Sequence, residues 1–297
     1  QKRCADDYAE SGGGKGQGGV KETKMRKYLL LLFAFVSLGA SAPNFIIVLA
    51  DDLGWPHTGP MARYAEKKYP HIPLASVDSM PMTGLPNTPN LDAMAANGTL
   101  FPNAYVTGST CRPSIAGLLS GCIDVFNLIQ GQHTILPQIL QQAGYATLKT
   151  GKWWEGDPHQ WGFDKTNQDE GVLDVQVGRK TMEPVYKFIQ ESKIHAKPFF
   201  IWLATHIPHS NHNGAPDDIE AYWQGRWGKG NGWKYHAMIT WLDRIIGELN
   251  AFLVTNGLDR DTLITFLADN GAGLQPSKGS FTEGGLRSPL LLYYPGV

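Results

Sequence analysis

Asn44-Phe45-Ile46-Ile47-Val48-Leu49-Ala50-Asp51-Asp52 is an apolar, β-branched run that stops abruptly at two adjacent carboxylates. A half-exposed strand would alternate polar and apolar residues. Unbroken apolarity from Phe45 to Ala50 instead predicts a strand covered on both faces, as in a parallel sheet. Open α/β sheets take their ligands at the carboxyl ends of such strands, and two hard oxygen donors side by side suit a divalent cation. Taken alone, Asp51 and Asp52 also read as turn acids capping the next segment.

The same pattern recurs along the chain. Tyr145 to Thr150 is a short strand running into Gly151-Lys152-Trp153-Trp154, and Lys197 to Thr205 is an apolar strand that delivers His206, His209 and His212. A zinc reading of those histidines lacks the glutamate of H-E-x-x-H, and the intervening proline and asparagine spoil a helical face. Thr262 to Ala268 is a further strand, ending in Asp269-Asn270-Gly271. The carboxyl ends of parallel strands share one edge, so Asp51, Asp52, Lys152, His209, Asp269 and Asn270 are expected to converge there.

Between the strands, Thr88 to Gly98 reads as a capped helix with Pro89 in its first position. Leu136 to Ala143 reads as a helix stopped at Gly144. Trp233 to Val254 places Ala237, Trp241, Ile245, Leu249 and Phe252 on one face, the pattern of a core-packing helix. Pro56 to Pro86 shows no strong periodicity and is expected to be an irregular surface excursion.

Thr110-Cys111-Arg112-Pro113-Ser114 precedes the apolar stretch Ile115 to Leu119, with Gly121 suited to a left-handed stop. Pro113 fits a first helical position, which sets Cys111 at the positive end of the helix, where a thiolate or a bound oxyanion is favoured. A buried cysteine ahead of a core helix is the competing reading. Cys122 lies on the far side of that helix, about 16 Å away at 1.5 Å per residue, beyond the ~7 Å reach of a disulfide.

Cys111, Pro113, Ser114, Leu118, Leu119 and Gly121 resemble the C-x-P-S-R and L-L-T-G signature of the type I sulfatases, with Ile115 where the family has arginine. Four further blocks are similar to that family: Asn44 to Trp55, Thr88 to Asp92, Gly151 to Trp153 and Asp269 to Gly271. Trp154 stands where the family has a histidine. Lys278-Gly279 and Glu283-Gly284-Gly285-Leu286-Arg287 resemble its K-G-x-x-x-E-G-G-x-R block, in which Glu283 and Arg287 read as structural.

The resemblance implies a mixed, mostly parallel α/β sheet flanked by helices over residues 43–297, as in the alkaline phosphatase superfamily. It also implies that the family's smaller C-terminal subdomain is absent. It further implies sulfate ester hydrolysis by a formylglycine made from Cys111, with one calcium ion (Ca2+), or magnesium as second choice, held by Asp51, Asp52, Asp269 and Asn270, with position 111 also a metal contact. Lys152, Lys278 and His209 would contact the substrate and serve catalysis, His206 being the weaker histidine candidate. Arg112, adjacent to the nucleophile, is a further candidate substrate contact and the candidate to stand in for the missing arginine. Implied partners are a sulfated glycan or small sulfate ester and a formylglycine-generating enzyme. A phosphatase or phosphodiesterase of the same superfamily, and a sulfatase-like glycan binder without turnover, are the rival readings.

The remaining bounds come from composition and the N-terminus. At 297 residues and a net charge of −1, the chain can bury a large core and gives no electrostatic case for nucleic acid. Met25-Arg26-Lys27, the apolar run Tyr28 to Leu38 and Ala40-Ser41-Ala42 read as a signal peptide rather than a membrane anchor, implying a secreted or periplasmic protein. Residues 1–24 are polar and glycine-rich and read as a leader outside the fold.

Overall fold

The structure, a computed structural model, describes residues 42–71, 86–123, 133–227, 232–273 and 277–297. The expected leader and all but the last residue of the expected signal peptide lie outside the described residues. Seven strands form one sheet among the described residues: β1 (Asn44–Asp51), β2 (Thr99–Tyr105), β3 (Ala146–Gly151), β4 (Lys165–Thr166), β5 (Phe199–Pro208), β6 (Thr262–Ala268) and β7 (Arg287–Tyr293). Their order is β2-β7-β6-β1-β5-β3-β4. β1 lies parallel between β5 and β6, pairing Phe45 with Phe200 and with Leu263. β7 alone runs against its neighbours, antiparallel to both β6 and β2. The sheet is therefore mixed and mostly parallel, as the family resemblance implies, and the apolar runs are its parallel strands.

Both faces are covered, which explains why the inner strands carry no polar alternation. Ile46, Val48 and Ala50 of β1 join Ile201, Leu203 and Phe266 in one apolar cluster. Ile47 and Leu49 point the other way, with Phe200, Trp202 and Leu267. Each such side chain is worth roughly 1.5–3 kcal/mol of burial. Helix α3 (Cys111–Ser120) closes the second face through Ile115, Ala116 and Leu119. The first face is closed by α5 (Glu183–Ile194) and α7 (Trp233–Thr255). Helices α2 (Pro89–Ala96), α4 (Leu136–Gln142), α6 (Asp217–Trp227) and α8 (Glu283–Leu286) complete the shell around them.

Three sequence expectations change. The excursion after Pro56 contains helix α1 (Gly59–Lys68), with Pro60 in its first turn and Met61, Ala62 and Ala65 buried. Apart from Met61, its buried face is glycine, proline and alanine, too weak in hydrophobicity to register as a period. Helix α3 begins at Cys111 and not at Pro113, because Thr110 is the extended residue before it. Pro113 then occupies the third helical position, still inside the first turn where no intrahelical N–H bond is lost. Finally, α7 is buried well beyond its expected stripe, since it lies under α2 and α6 as well as on the sheet; Met238, Leu242, Asp243 and Ile246 are all buried.

Asp243 shows what that second contact does. Thr88 provides no side-chain cap for α2. Asp243 supplies it from α7, accepting from Asn90 N (3.1 Å), Leu91 N (2.7 Å) and Asn90 Nδ2 (2.8 Å). Asp243→Ala leaves these donors without acceptors and is expected to lower stability by about 3 kcal/mol. Thermal unfolding should show a fall in Tm of roughly 6–12 °C, with Asp243→Asn losing less. An unchanged Tm would mean that the helix needs no such cap.

Candidate active site

The carboxyl ends of β1, β3, β5 and β6 meet the first turn of α3. Asp51 and Asp52 at the end of β1 are 1% and 3% exposed. Asp52 has φ +62°, a left-handed conformation that costs a non-glycine residue about 1–2 kcal/mol. It is held there by Asp52 N donating to Asp269 Oδ1 (3.0 Å) and by Gly54 N donating to the Tyr235 hydroxyl (3.0 Å). Nothing in the Trp233-Lys234-Tyr235 segment of the sequence marks Tyr235 for this service.

At the end of β6, Asp269 N donates to Ala50 O (3.0 Å), locking the two strand ends together. Asn270 Nδ2 donates to Asp52 Oδ1 (2.7 Å) and to Gly271 O (2.9 Å). Gly271 lies against Gly284 so closely that a Cβ would run into the Gly284 carbonyl. That contact seats the turn carrying Lys278. Arg287 anchors the same turn, donating to Glu283 Oε2 (2.9 Å) and twice to Pro102 O (2.8 and 2.6 Å).

At the end of β3, Gly151 takes φ +72° with no room for a side chain against Ala204 O. The turn aims Lys152 inward: its Nζ pairs with Asp51 and lies 3.1 Å from Asp269 Oδ2. Trp154 covers it, the ring centroid 4.8 Å from Nζ. Lys278 Nζ reaches Asp52 Oδ1 (2.6 Å) and Cys111 Sγ (3.2 Å). Burial pulls Lys152 and Lys278 down, but the neighbouring carboxylates outweigh it and both are held above the ordinary lysine range. Both are ammonium ions at neutral pH.

From β5, His209 Nε2 lies 3.5 Å from Asp52 Oδ2 and His206 Nδ1 lies 3.8 Å from Asp51 Oδ2. Burial, then Lys152, pull His206 down to about 4, so it is neutral at pH 7 and its approach to Asp51 is no ion pair. His209 is the more exposed of the two, its side chain 35% accessible.

Cys111 Sγ is 3.7 Å from Asp51 Oδ1 and from Asp52 Oδ1. Burial, with Asp269 next, pushes its thiol up to about 12. The helix N-terminus expected to favour a thiolate is thus overruled by desolvation and carboxylates, and the side chain is a thiol. Cys111 and Cys122 are both free, as their separation predicted.

Asp51, Asp52, Cys111 and Asp269 each offer a ligand atom within 4.8 Å of the others. Three carboxylates there face two ammonium groups. Burial, then Asp51, push Asp269 up to about 6, the mark of negative charge crowded in a dry site. Asp51 Oδ2 and Asn270 Oδ1 are buried without a hydrogen-bond partner. Orphaned oxygens on two of the expected ligands, beside uncompensated negative charge, fit a hard divalent cation.

Arg112 departs from its expected role. Its guanidinium makes a two-pronged pair with Glu155 (Nε to Oε1 2.8 Å, Nη2 to Oε2 2.9 Å), which offsets its charge outside the carboxylate cluster. Ile115 is 4% exposed within the apolar cluster under α3, so the position of the family's arginine holds a buried apolar side chain.

A sulfatase family model matches residues 43–297. The chain is 25% identical to N-acetylgalactosamine-6-sulfatase of Canis lupus familiaris over 345 residues, covering 90% of this chain and 61% of that protein. It is 26% identical to arylsulfatase G of the same organism over 348 residues, covering 86% and 59%. The chain thus spans about three fifths of the length of these relatives. The crystal structure of PsFucS1 sulfatase from Pseudoalteromonas sp. superposes with a TM-score of 0.67 at 21% identity, covering 92% of this chain and 67% of that one. With its fold and its motifs matched from β1 to β7, the chain belongs to the type I sulfatase family.

Proposed function

We propose that this protein hydrolyses sulfate esters, with position 111 carrying the nucleophile after conversion of Cys111 to formylglycine. The observation that carries this reading is the meeting of Cys111 with Lys278, Asp51 and Asp52 at the shared strand edge. A thiol pushed up to about 12 is a poor nucleophile at neutral pH, which supports a modified residue in its place. The formylglycine hydrate would supply one hydroxyl to attack sulfur and a second to release sulfate. Asp51, Asp52, Asp269 and Asn270 would hold calcium, with magnesium second, and the cation would neutralise charge on the sulfate oxygens.

The chain's own residues do the rest. Lys278, in contact with Sγ and Asp52, would hold an anionic head group against position 111, and Lys152, paired with Asp51 and Asp269, would add a second positive charge. His209, partly accessible and 3.5 Å from Asp52, would protonate the departing alcohol. An extracytoplasmic location rests on segment 25–42; among the described residues no helix is long and apolar enough to cross a membrane.

Lys152→Ala and Lys278→Ala should each lower kcat/KM on an aryl sulfate by about 10²–10³-fold, the scale of removing one preorganised charge contact. Steady-state kinetics with unchanged values in both variants would sink the site as drawn. Turnover of the matching phosphate ester in preference to the sulfate would reassign the reaction.

A further inference from the structure

Most cations fixed on this surface are paired with a carboxylate: Arg63 with Asp92, Arg112 with Glu155, Lys165 with Glu191 and Arg244 with Asp218. Arg179, Lys234 and Lys193 differ, Lys193 donating to the Asn256 carbonyl (2.7 Å) just past the end of α7 and the other two lying on the His209 side of the site. Arg179 donates only to backbone carbonyls, those of His206 (Nη2, 2.9 Å), His209 (Nη2, 3.5 Å) and Asn213 (Nη1, 3.2 Å). Lys234 Nζ donates to Asn213 Oδ1 (2.9 Å). Every hydrogen bond these two cations make with described residues therefore ends on an uncharged oxygen. A guanidinium has five N–H donors and an ammonium three, so both keep donors unengaged.

Their position gives this meaning. Arg179 grips the carbonyls of His206 and His209, and His209 touches Asp52, which touches Cys111. One asparagine, Asn213, bridges Arg179 to Lys234. Two like charges thus share one asparagine, and one of them holds the backbone of His209. Both are only half-buried, so they reach solvent. Convergent cations with free donors are complementary to an anion, and a guanidinium in particular to a carboxylate or sulfate. Arg112, next to position 111, offers no such charge, because Glu155 offsets it.

We infer that Arg179 and Lys234 form an anion-binding rim that selects sulfate esters whose alcohol carries a second anionic group, either a carboxylate or another sulfate. The inference rests on the sulfatase reading for its placement relative to the scissile ester. It concerns a different contact, to the leaving alcohol and not to the group transferred. Since both cations are partly solvated, the gain per charge is modest and screened by salt over a Debye length of ~8 Å at physiological ionic strength.

The test uses the full chain and three sugars with the same scissile sulfate: one with a neutral remainder, one with a uronate carboxylate and one with a second sulfate. The anionic sugars should show kcat/KM higher by about tenfold at low salt, and the better of the two identifies the second anion. That preference should shrink at high salt, largely vanish in Lys234→Glu, and survive better in Arg179→Lys than in Arg179→Gln. Lys234→Glu alters a half-buried helix residue, which guards against a folding failure of the Arg179 variants. Equal kcat/KM for all three sugars, or a preference that survives Lys234→Glu combined with Arg179→Gln, overturns the rim while leaving the hydrolase standing. Binding of the same sugars to Cys111→Ala reads the rim without turnover. A preference for the anionic sugars that Lys234→Glu removes, on a chain whose parent hydrolyses none of them, would keep the rim and reject the hydrolase. No binding of any of the three would overturn the rim.

Discussion

Cys111→Ala is expected to lower kcat on an aryl sulfate by at least about 10⁴-fold, because alanine has no thiol to be exchanged for oxygen at Cβ and so yields no formylglycine nucleophile. Binding should persist, since Lys152, Lys278 and His209 are held by contacts to Asp51, Asp52 and Asp269. A mass spectrum of the wild-type peptide spanning residue 111 should show loss of hydrogen sulfide and gain of one oxygen, the change from cysteine to formylglycine. That state lies off the usual cysteine oxidation ladder. Ile115, buried where the family signature has arginine, is what a modifying enzyme would find altered, so modification should be incomplete in a foreign host. Intact cysteine in every molecule, with full hydrolysis by Cys111→Ala, would refute the mechanism.

Removing the divalent cation with a chelator should abolish turnover reversibly, with calcium restoring it better than magnesium. The donors expected to hold it are all oxygens in a buried cluster, two of them without a hydrogen-bond partner. Stability should change too, since a cation bound at a hundred times its Kd contributes about 2.7 kcal/mol. For a domain of this size that is a Tm difference of roughly 5–11 °C. Elemental analysis and paired melting curves check both statements. Stoichiometric zinc without calcium, or melting and activity indifferent to chelation, would remove the cation from the reading.

The strand ends were legible because buried parallel strands leave a strong signal, an apolar run broken by the residues that face a ligand. Asp51, Lys152, His209 and Asp269 all follow such runs, and the fold brings them together. Other elements carry no comparable signal. Helix α1 buries only small residues and Met61. Strand β2 contains Pro102 and lies at the sheet edge, where alternate residues stay exposed and a proline is tolerated. Asp243 looks like the polar face of its own helix, yet it caps another. Arg179 sits among Gly178 and Lys180 as an ordinary surface charge, and only the carbonyls of residues far along the chain give it a place.

The central strand of the sheet is the earliest to be made, and its two partners come late: Asn44 pairs with Thr262, 218 residues away. Such pairings give a high contact order, and they cannot form until the far segment has left the ribosome. Helix α3 packs through Ile115, Ala116 and Leu119 against Phe200, Trp202 and Leu267, so its cover is also supplied by later segments. At ~5–20 residues per second, the roughly 160 residues from Cys111 to the end of β6 take about 10–30 s to synthesise. During that interval the cysteine is carried on an uncovered chain. Once β6 docks it is 8% exposed. Strand order thereby sets a time window for any enzyme that must act on this thiol.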